Sequence, residues 1–323
     1  MGNCHLQTRY LSGTILQYNI VRNSSSYTPW KPKDDENLAI TFDHLVDHIL
    51  LLRQVIGQPE MIHDEKLLNH SIREYCQKMA REEILTEYRH SKLSLPILWI
   101  WHLHRLYPLT YYKDCTSQLP DGQLCDPSIS YFPSFASRRQ RSYMPFFPSV
   151  DLIKAALCQR TFLDKFKKHI LYANDLSNID RSFFPIMVNN YISFLQLGEE
   201  NQILVPTFDI DLIWHTHLRN PTHYRQTSIE LCGFVLNHDD TIKKDILKDA
   251  YKNTAQRWNN TYHTNYEQNH KTTLVVSSNS GGCGSTSFSI TNIWRTLSES
   301  NYHNDGSDSA DDGGSDCGGC GGD

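Results

Sequence analysis

The sequence predicts an all-α, mostly helical protein built from two copies of a helical unit, and two observations support this fold class. Apolar residues recur at helical spacing before residue 270, as at Leu45, Ile49 and Leu52. A rare frame, Trp-His-x-His, occurs at 101–104 and again at 214–217, and proline and tyrosine follow both copies at the same distances. Tryptophan and histidine are sparse residues, so this coincidence indicates an internal duplication.

Two apolar-periodic stretches precede each Trp-His segment. They run from 42 to 55 and from 67 to 88 in the first unit, and from 150 to 166 and from 184 to 197 in the second. The sequence therefore predicts two repeats of a three-helix unit, at about 35–115 and 149–235. Three amphipathic helices leave apolar surface uncovered, so we expect both repeats to pack into one domain, 35–270, with His102 near His215.

Two further segments complete this domain. A helix is expected from Ile242 to Tyr262, with Asp239, Asp240 and Thr241 ahead of it as capping residues. The repeats are joined by a proline-rich stretch, 116–148, which has no helical period and is predicted to be a surface loop.

The connecting loop also contains a possible binding segment, at 131–147. Its residues Arg138, Arg139 and Arg141 lie among aromatic side chains. Such a composition can bind single-stranded RNA through phosphate contacts and base stacking. The alternative interpretation is a loop whose aromatic residues pack into the core while the arginines stay in solvent.

Both ends of the chain are expected to lie outside the helical domain. The N-terminal arm, 1–34, begins with Gly2 and Cys4, the arrangement used for dual acylation, although Leu6 occupies the position where Ser or Thr is expected. The tail, 271–323, is rich in Gly, Ser, Asp and Cys. It is too poor in apolar groups to offset the entropy of ordering, so a disordered tail is predicted.

Charge and targeting signals restrict the partners and the compartment. The formal charge is -5, and seven acidic residues follow Arg295 with no Lys or Arg among them. Without these seven the charge is about +2, which provides no basic footprint for duplex DNA. The sequence shows no membrane-length apolar run and no secretory signal, and nine cysteines fit a reducing compartment. A cytoplasmic protein is expected, with membrane attachment only if Gly2 and Cys4 are acylated.

The Trp-His segments supply the candidate site residues. These are Trp101, His102, His104, Asp209, Asp211, Trp214, His215 and His217. Residues two apart on a helix point in nearly opposite directions, so the two histidines of one segment cannot face a common ion. Asp211 and His215 are four apart and share a helix face, where a buried hydrogen bond would fix the imidazole tautomer. The first segment has Leu98 at the position of Asp211, so two symmetric centres are not expected.

Three interpretations of these residues remain open. The Trp and His side chains can pack and satisfy one another at the interface between the repeats. Alternatively, Asp211 forms a composite metal site, with zinc as the ion, together with His102 or His104 from the first repeat and His215 or His217 from the second; the choice in best agreement with the spacing is His102, His215 and Asp211. A general acid-base site without a metal is the third interpretation. No phosphate loop, nucleophile elbow or paired-histidine zincin motif is present. A protein without catalytic activity and without a cofactor is therefore favoured over a metal-dependent enzyme.

The stretches Leu98–Leu106 and Pro206–His217 resemble the paired signatures of the glycine-rich domain-containing protein-like family. The resemblance covers roughly Asp35–Tyr262 and extends to the Gly/Cys-rich tail. It implies an interaction or regulatory module with a protein partner, linked in plants to development and stress responses, and with no established catalytic activity or cofactor. Some longer members contain an RNA-binding segment, but this chain lacks an aromatic RNP-type strand, so nucleic acid is not the expected partner.

Overall fold

The computed structural model describes residues 40–89, 91–119, 122–127, 144–177 and 179–267. Within these ranges the protein is all-helical, as predicted, and contains no β-strand. The predictions made for Gly2 and Cys4, for the arginines at 138–141 and for the tail at 271–323 fall outside the described residues.

Twelve helices are present in the described ranges. They are α1 (Phe42–Ile56), α2 (Glu60–His63), α3 (Glu65–Ala80), α4 (Glu83–Arg89), α5 (Leu95–Arg105), α6 (Pro108–Gln118), α7 (Leu152–Lys168), α8 (Ile170–Ala173), α9 (Phe183–Gln196), α10 (Phe208–Leu218), α11 (Pro221–Cys232) and α12 (Lys244–Tyr262). Each Trp-His segment follows two long helices, with α1 and α3 before α5, and α7 and α9 before α10. Short helices such as α2, α4 and α8 lie between them, and α6 and α11 follow directly after the Trp-His helices.

Local sequence explains where several long helices begin. Thr41 accepts a hydrogen bond from the His44 backbone while the His44 side chain accepts one from the Thr41 backbone, which forms a capping box for α1. Asp64 and Asp151 accept backbone hydrogen bonds from the first turns of α3 and α7. Proline in the first turn of α5 suits positions whose N–H groups have no helical partner.

The Trp-His helices α5 and α10 lie at the centre of the fold. Helix α5 packs against α1, α3 and α7, and α10 packs against α1 and α9. Every residue of α10 from Ile210 to Leu218 is buried, so this stretch has no solvent-exposed face. A helix that is buried on all sides belongs to the core of a protein. The Trp-His segments are therefore central elements and not surface motifs.

In the described part of the connection between the two halves, Cys125, Asp126 and Phe146 are buried, so the predicted surface loop reaches the core. Phe146 is buried against Tyr75 and His104, whereas Met144 and Phe147 are largely exposed. Only the end of the predicted RNA-binding segment is described, and there one aromatic side chain packs inward while its neighbour stays in solvent.

The start of α12 differs from the prediction. The helix begins at Lys244, after Lys243 as its N-cap, so Asp240 does not cap it. Asp240 is instead buried, and its carboxylate accepts a hydrogen bond from Gln159 at 2.5 Å. The loop 233–243 thus places a carboxylate in the core. None of the helices in the described ranges has the length and hydropathy needed to span a membrane.

Candidate functional site

The tryptophans of both Trp-His segments make corresponding hydrogen bonds. Trp101 Nε1 donates to the hydroxyl of Tyr111 at 2.9 Å, and Trp214 Nε1 donates to the hydroxyl of Tyr224 at 3.1 Å. Each tyrosine hydroxyl donates onward to a backbone carbonyl in the loop that follows its helix. The Pro-Tyr spacing seen in the sequence therefore fixes α6 and α11 against the Trp-His helices.

The second histidine of each segment is a packing residue. His104 lies 2.8 Å from the Tyr75 hydroxyl through Nδ1 and 3.1 Å from Asp114 through Nε2. His217 Nδ1 lies 2.9 Å from the Tyr191 hydroxyl. Burial lowers the pKa of His104, and it lowers the pKa of His217 to about 3. Both imidazoles are therefore neutral at physiological pH and face α3 and α9.

The first histidine of each segment faces the middle of the molecule. The ring centroids of His102 and His215 are 6.3 Å apart, close together as expected from the sequence. His48 on α1 joins them, with its ring centroid 5.0 Å from that of His102 and 6.4 Å from that of His215. Burial lowers the pKa of His48 and of His102 well below the usual range, so both are neutral.

Several nitrogens in this histidine cluster lack a protein partner. The Thr216 hydroxyl donates to the Leu212 carbonyl at 2.7 Å, so it accepts from His48 Nδ1 at 2.9 Å. The proton of His48 is thereby placed on Nδ1. His48 Nε2 and both ring nitrogens of His102 have no hydrogen-bond partner within the described residues. Buried polar atoms without partners are rare in native proteins and mark places where a bound group can be held.

Asp211, His215 and His238 converge at one point beside the cluster. His215 Nε2 lies 3.2 Å from Asp211 Oδ1 and 2.8 Å from His238 Nε2. His238 Nε2 lies 3.8 Å from the same Asp211 oxygen and 3.5 Å from Asp240 Oδ1. All four side chains are almost fully buried. Asp211 and His215 form the i, i+4 contact expected from helix geometry, and His238 comes from the loop 233–243.

The surroundings of His238 set its tautomer and its charge. Its Nδ1 lies 3.0 Å from the Leu106 carbonyl oxygen, which can only accept, so Nδ1 carries a proton. Burial opposes a second proton, but the nearby carboxylates of Asp240 and Asp211 outweigh burial and raise the pKa of His238 to about 9. In contrast, the neighbouring histidines help keep the pKa of Asp211 below its usual range despite burial, which by itself would raise that pKa. The site therefore combines two buried carboxylates with an imidazole whose protonated form they stabilise.

Sequence reasoning found part of this site. Asp209 lies elsewhere, where its Oδ1 is 3.0 Å from His169 Nε2. His238 was missed because the loop that carries it has no periodic pattern. His48 was missed although its spacing from Leu45 and Leu52 places it on the apolar face of α1, a signal that could have marked it.

Two cavities lie at the surface between α6 and α11, and neither is lined by Asp211, His215, His238 or Asp240. One has a volume of about 230 Å³ and the other about 470 Å³. They share the lining residues Tyr112, Leu124 and Arg225, and together we call them the α6–α11 groove. The side chains of Leu109, Tyr112 and Ile229 along it are 47%, 39% and 37% exposed. Exposed apolar side chains gathered in one groove are typical of a binding surface.

The structure is thus an all-α protein with two Trp-His helices at its centre, and comparison with known proteins connects it to one family. Residues 133–227 match the family model of the glycine-rich domain-containing protein-like proteins, which confirms the resemblance found in the sequence. Glycine-rich domain-containing protein 1 of Arabidopsis thaliana is 30% identical over 201 residues, covering 52% of this chain and 24% of that protein. Glycine-rich domain-containing protein 2 of the same plant is 29% identical over 199 residues, covering 52% of this chain and 25% of that protein.

The match is limited to part of those relatives. The chain spans about a quarter of the length of the two curated proteins that it matches. No solved structure matches it.

Proposed function

We propose that this chain is a non-catalytic interaction module that binds an extended segment of a partner protein in the α6–α11 groove. The observation that supports the proposal is the contrast between the two candidate regions. The groove is open and largely apolar, whereas Asp211, His215 and His238 lie in the core, where a substrate would reach them only after the helices separate. The expected cytoplasmic location stays a prediction.

The burial of the Asp-His site argues against the metal-dependent enzyme as the first choice. Asp211 is 1% exposed and His215 is 0% exposed. A catalytic metal keeps an open position for water or substrate, and a buried set of ligands provides none without movement of the surrounding helices. The geometry therefore favours a structural role for these residues over a catalytic one.

The groove indicates the chemistry of the partner. The 230 Å³ cavity is lined by proline, leucine, valine and tyrosine side chains, and the charged residues in its lining are Arg105 and Arg225. The guanidinium of Arg225 lies over the Tyr112 ring, 4.7 Å from its centroid, and this contact holds the charge at the rim. A peptide with a large apolar side chain followed by Asp or Glu would place the apolar group in the cavity and the carboxylate on Arg225.

A displayed peptide library tests this proposal directly. We expect selection on the full chain to enrich peptides that pair a large apolar residue with an acidic one. The Arg225→Glu variant should weaken binding of such a peptide by about tenfold or more, because it replaces attraction by repulsion. The matched control is Arg160→Glu, an exposed arginine on α7 outside the groove, which should bind as the unmodified chain does.

Two results would contradict the proposal. One is the absence of peptides whose binding distinguishes Arg225→Glu from Arg160→Glu. The other is stronger selection of single-stranded RNA than of peptides, which would support the alternative in which the 131–147 segment binds nucleic acid.

A further inference from the structure

We propose that Asp211, His215 and His238 bind a zinc ion in the core, as a structural site that fastens the loop 233–243 to α10. The sequence alone pointed to His102 as a ligand beside Asp211 and His215, but the structure places His238 in that position. This inference is independent of the groove and of any partner that the groove binds.

The spacing of the three ligand atoms fits a zinc ion closely. Asp211 Oδ1, His215 Nε2 and His238 Nε2 form a triangle with edges of 2.8, 3.2 and 3.8 Å. A point equidistant from all three atoms in their plane lies about 1.9 Å from each, slightly less than the zinc–nitrogen and zinc–oxygen distances of about 2.0 to 2.2 Å. The edges average about 3.3 Å, which is the edge of a tetrahedron with bonds of about 2.0 Å. An ion just outside this plane would therefore reach all three ligands without rearrangement.

The two imidazoles direct their Nε2 edges at the same point. Their ring centroids are 4.7 Å apart, while their Nε2 atoms are only 2.8 Å apart, so both nitrogens lie between the rings. Because Nδ1 of His238 donates to the Leu106 carbonyl, its Nε2 presents a lone pair in the neutral ring. Two imidazole nitrogens at this distance need a proton or a metal cation between them, and the hydrogen bond to Leu106 is the kind of outer contact that orients metal ligands.

The carboxylates around the three ligand atoms also favour a bound cation. Neither carboxylate oxygen of Asp211 has a hydrogen-bond partner in the described part of the protein, although the residue is buried. Asp240 adds a second buried carboxylate, with Oδ2 held by Gln159 and Oδ1 3.5 Å from His238 Nε2. A divalent ion would neutralise the Asp211 carboxylate directly, whereas Asp240 is not one of the three converging ligands and would act as an outer carboxylate beside His238.

The competing state is a protonated His238 that pairs with the two carboxylates in the absence of metal. The same negative charge favours both states, so the decisive measurement is the metal content of the protein. Zinc ligands must be deprotonated, and binding of zinc would release the second proton of His238.

The experiment measures zinc in the purified full chain by mass spectrometry after equilibration with zinc sulfate and removal of free metal. We expect about one zinc ion per chain. Removing it with a chelator should lower the thermal midpoint, and adding zinc back should restore it. These two measurements need no variant, so they test the site even if a substitution prevents folding.

Two substitutions then test the ligands. In His238→Asn the amide can keep the hydrogen bond to the Leu106 carbonyl while the zinc-binding nitrogen is lost, and Asp211→Asn preserves shape but removes the charge. Both should reduce bound zinc by about tenfold or more. The matched control is His104→Asn, which alters a buried His-Asp pair that has no third potential ligand beside it among the described residues and should retain zinc.

Three outcomes would overturn the proposal. They are folded wild-type protein that remains free of zinc after equilibration, zinc that persists in His238→Asn, and equal loss of zinc from His104→Asn. Circular dichroism of each variant establishes that it retains its helices.

Discussion

Acidification should destabilise this protein through His217, and the size of the effect follows from its burial. The pKa of His217 is lowered to about 3 in the folded chain because the imidazole is buried, whereas an exposed histidine in the unfolded chain titrates near 6.5. Below about pH 6.5 the unfolded state binds a proton that the folded state does not. Stability contributed by the neutral imidazole is therefore complete above that pH and is lost as the pH falls toward 3. At pH 5 the loss is about 2 kcal/mol, because pH 5 lies about 1.5 units below the pKa of the unfolded histidine and each unit corresponds to about 1.36 kcal/mol.

Urea denaturation of wild type and His217→Asn at pH 7.5 and pH 5.0 measures this contribution. Other buried histidines titrate in both proteins, so their effects cancel in the difference between the two free energies of unfolding. We expect this difference to be smaller at pH 5.0 than at pH 7.5 by about 2 kcal/mol. Tyr191→Phe is the control, because it removes the hydroxyl beside His217 but leaves the imidazole buried. It should cost about 1 kcal/mol at both pH values. A difference between wild type and His217→Asn that does not change with pH would refute the argument.

Two further predictions concern the Trp-His helices. Tyr111→Phe should lower the free energy of unfolding by about 1 to 3 kcal/mol in urea denaturation, because the Trp101 N–H and the Cys125 carbonyl both lose their partner. An unchanged free energy would mean that these groups find other partners. His102→Ala and His215→Ala should be non-additive by about 0.5 kcal/mol or more in a double-mutant cycle, because their rings share one cluster. Strict additivity would show that the two rings do not interact.

The sequence predicted the helices well where apolar spacing and capping residues act locally. The pattern at 150–166 predicted α7, and Asp151 caps it through bonds to the next residues in the chain. Helix α10 has almost no amphipathic pattern because it is buried on every side. There the repeated Trp-His frame was the informative signal. Short helices such as α8 were not predicted, since a single turn has too few residues to show a period.

Only the part of the site that lies within one helix could be predicted from the sequence. Asp211 and His215 are four apart, so helix geometry alone brings them together. His238 lies 23 residues beyond His215, and its hydrogen bond to Leu106 spans 132 residues. Such a contact depends on how the whole chain folds, and no local pattern encodes it. The acids beside His238 were interpreted as helix caps because capping is what Asp and Thr usually do before a helix.

The bond between Leu106 and His238 also has a consequence for protein synthesis. The carbonyl at the end of α5 receives its partner from a residue 132 positions later. At about 5 to 20 residues per second, a ribosome needs roughly 7 to 26 seconds to make that stretch. During this interval the first Trp-His helix passes through the exit tunnel and leaves the ribosome. Its apolar surface is then exposed, because its final contacts have not yet formed. We therefore expect nascent chains that stall before residue 238 to engage chaperones, whereas chains extended through α12, whose Trp258 lies in the same core, can complete it.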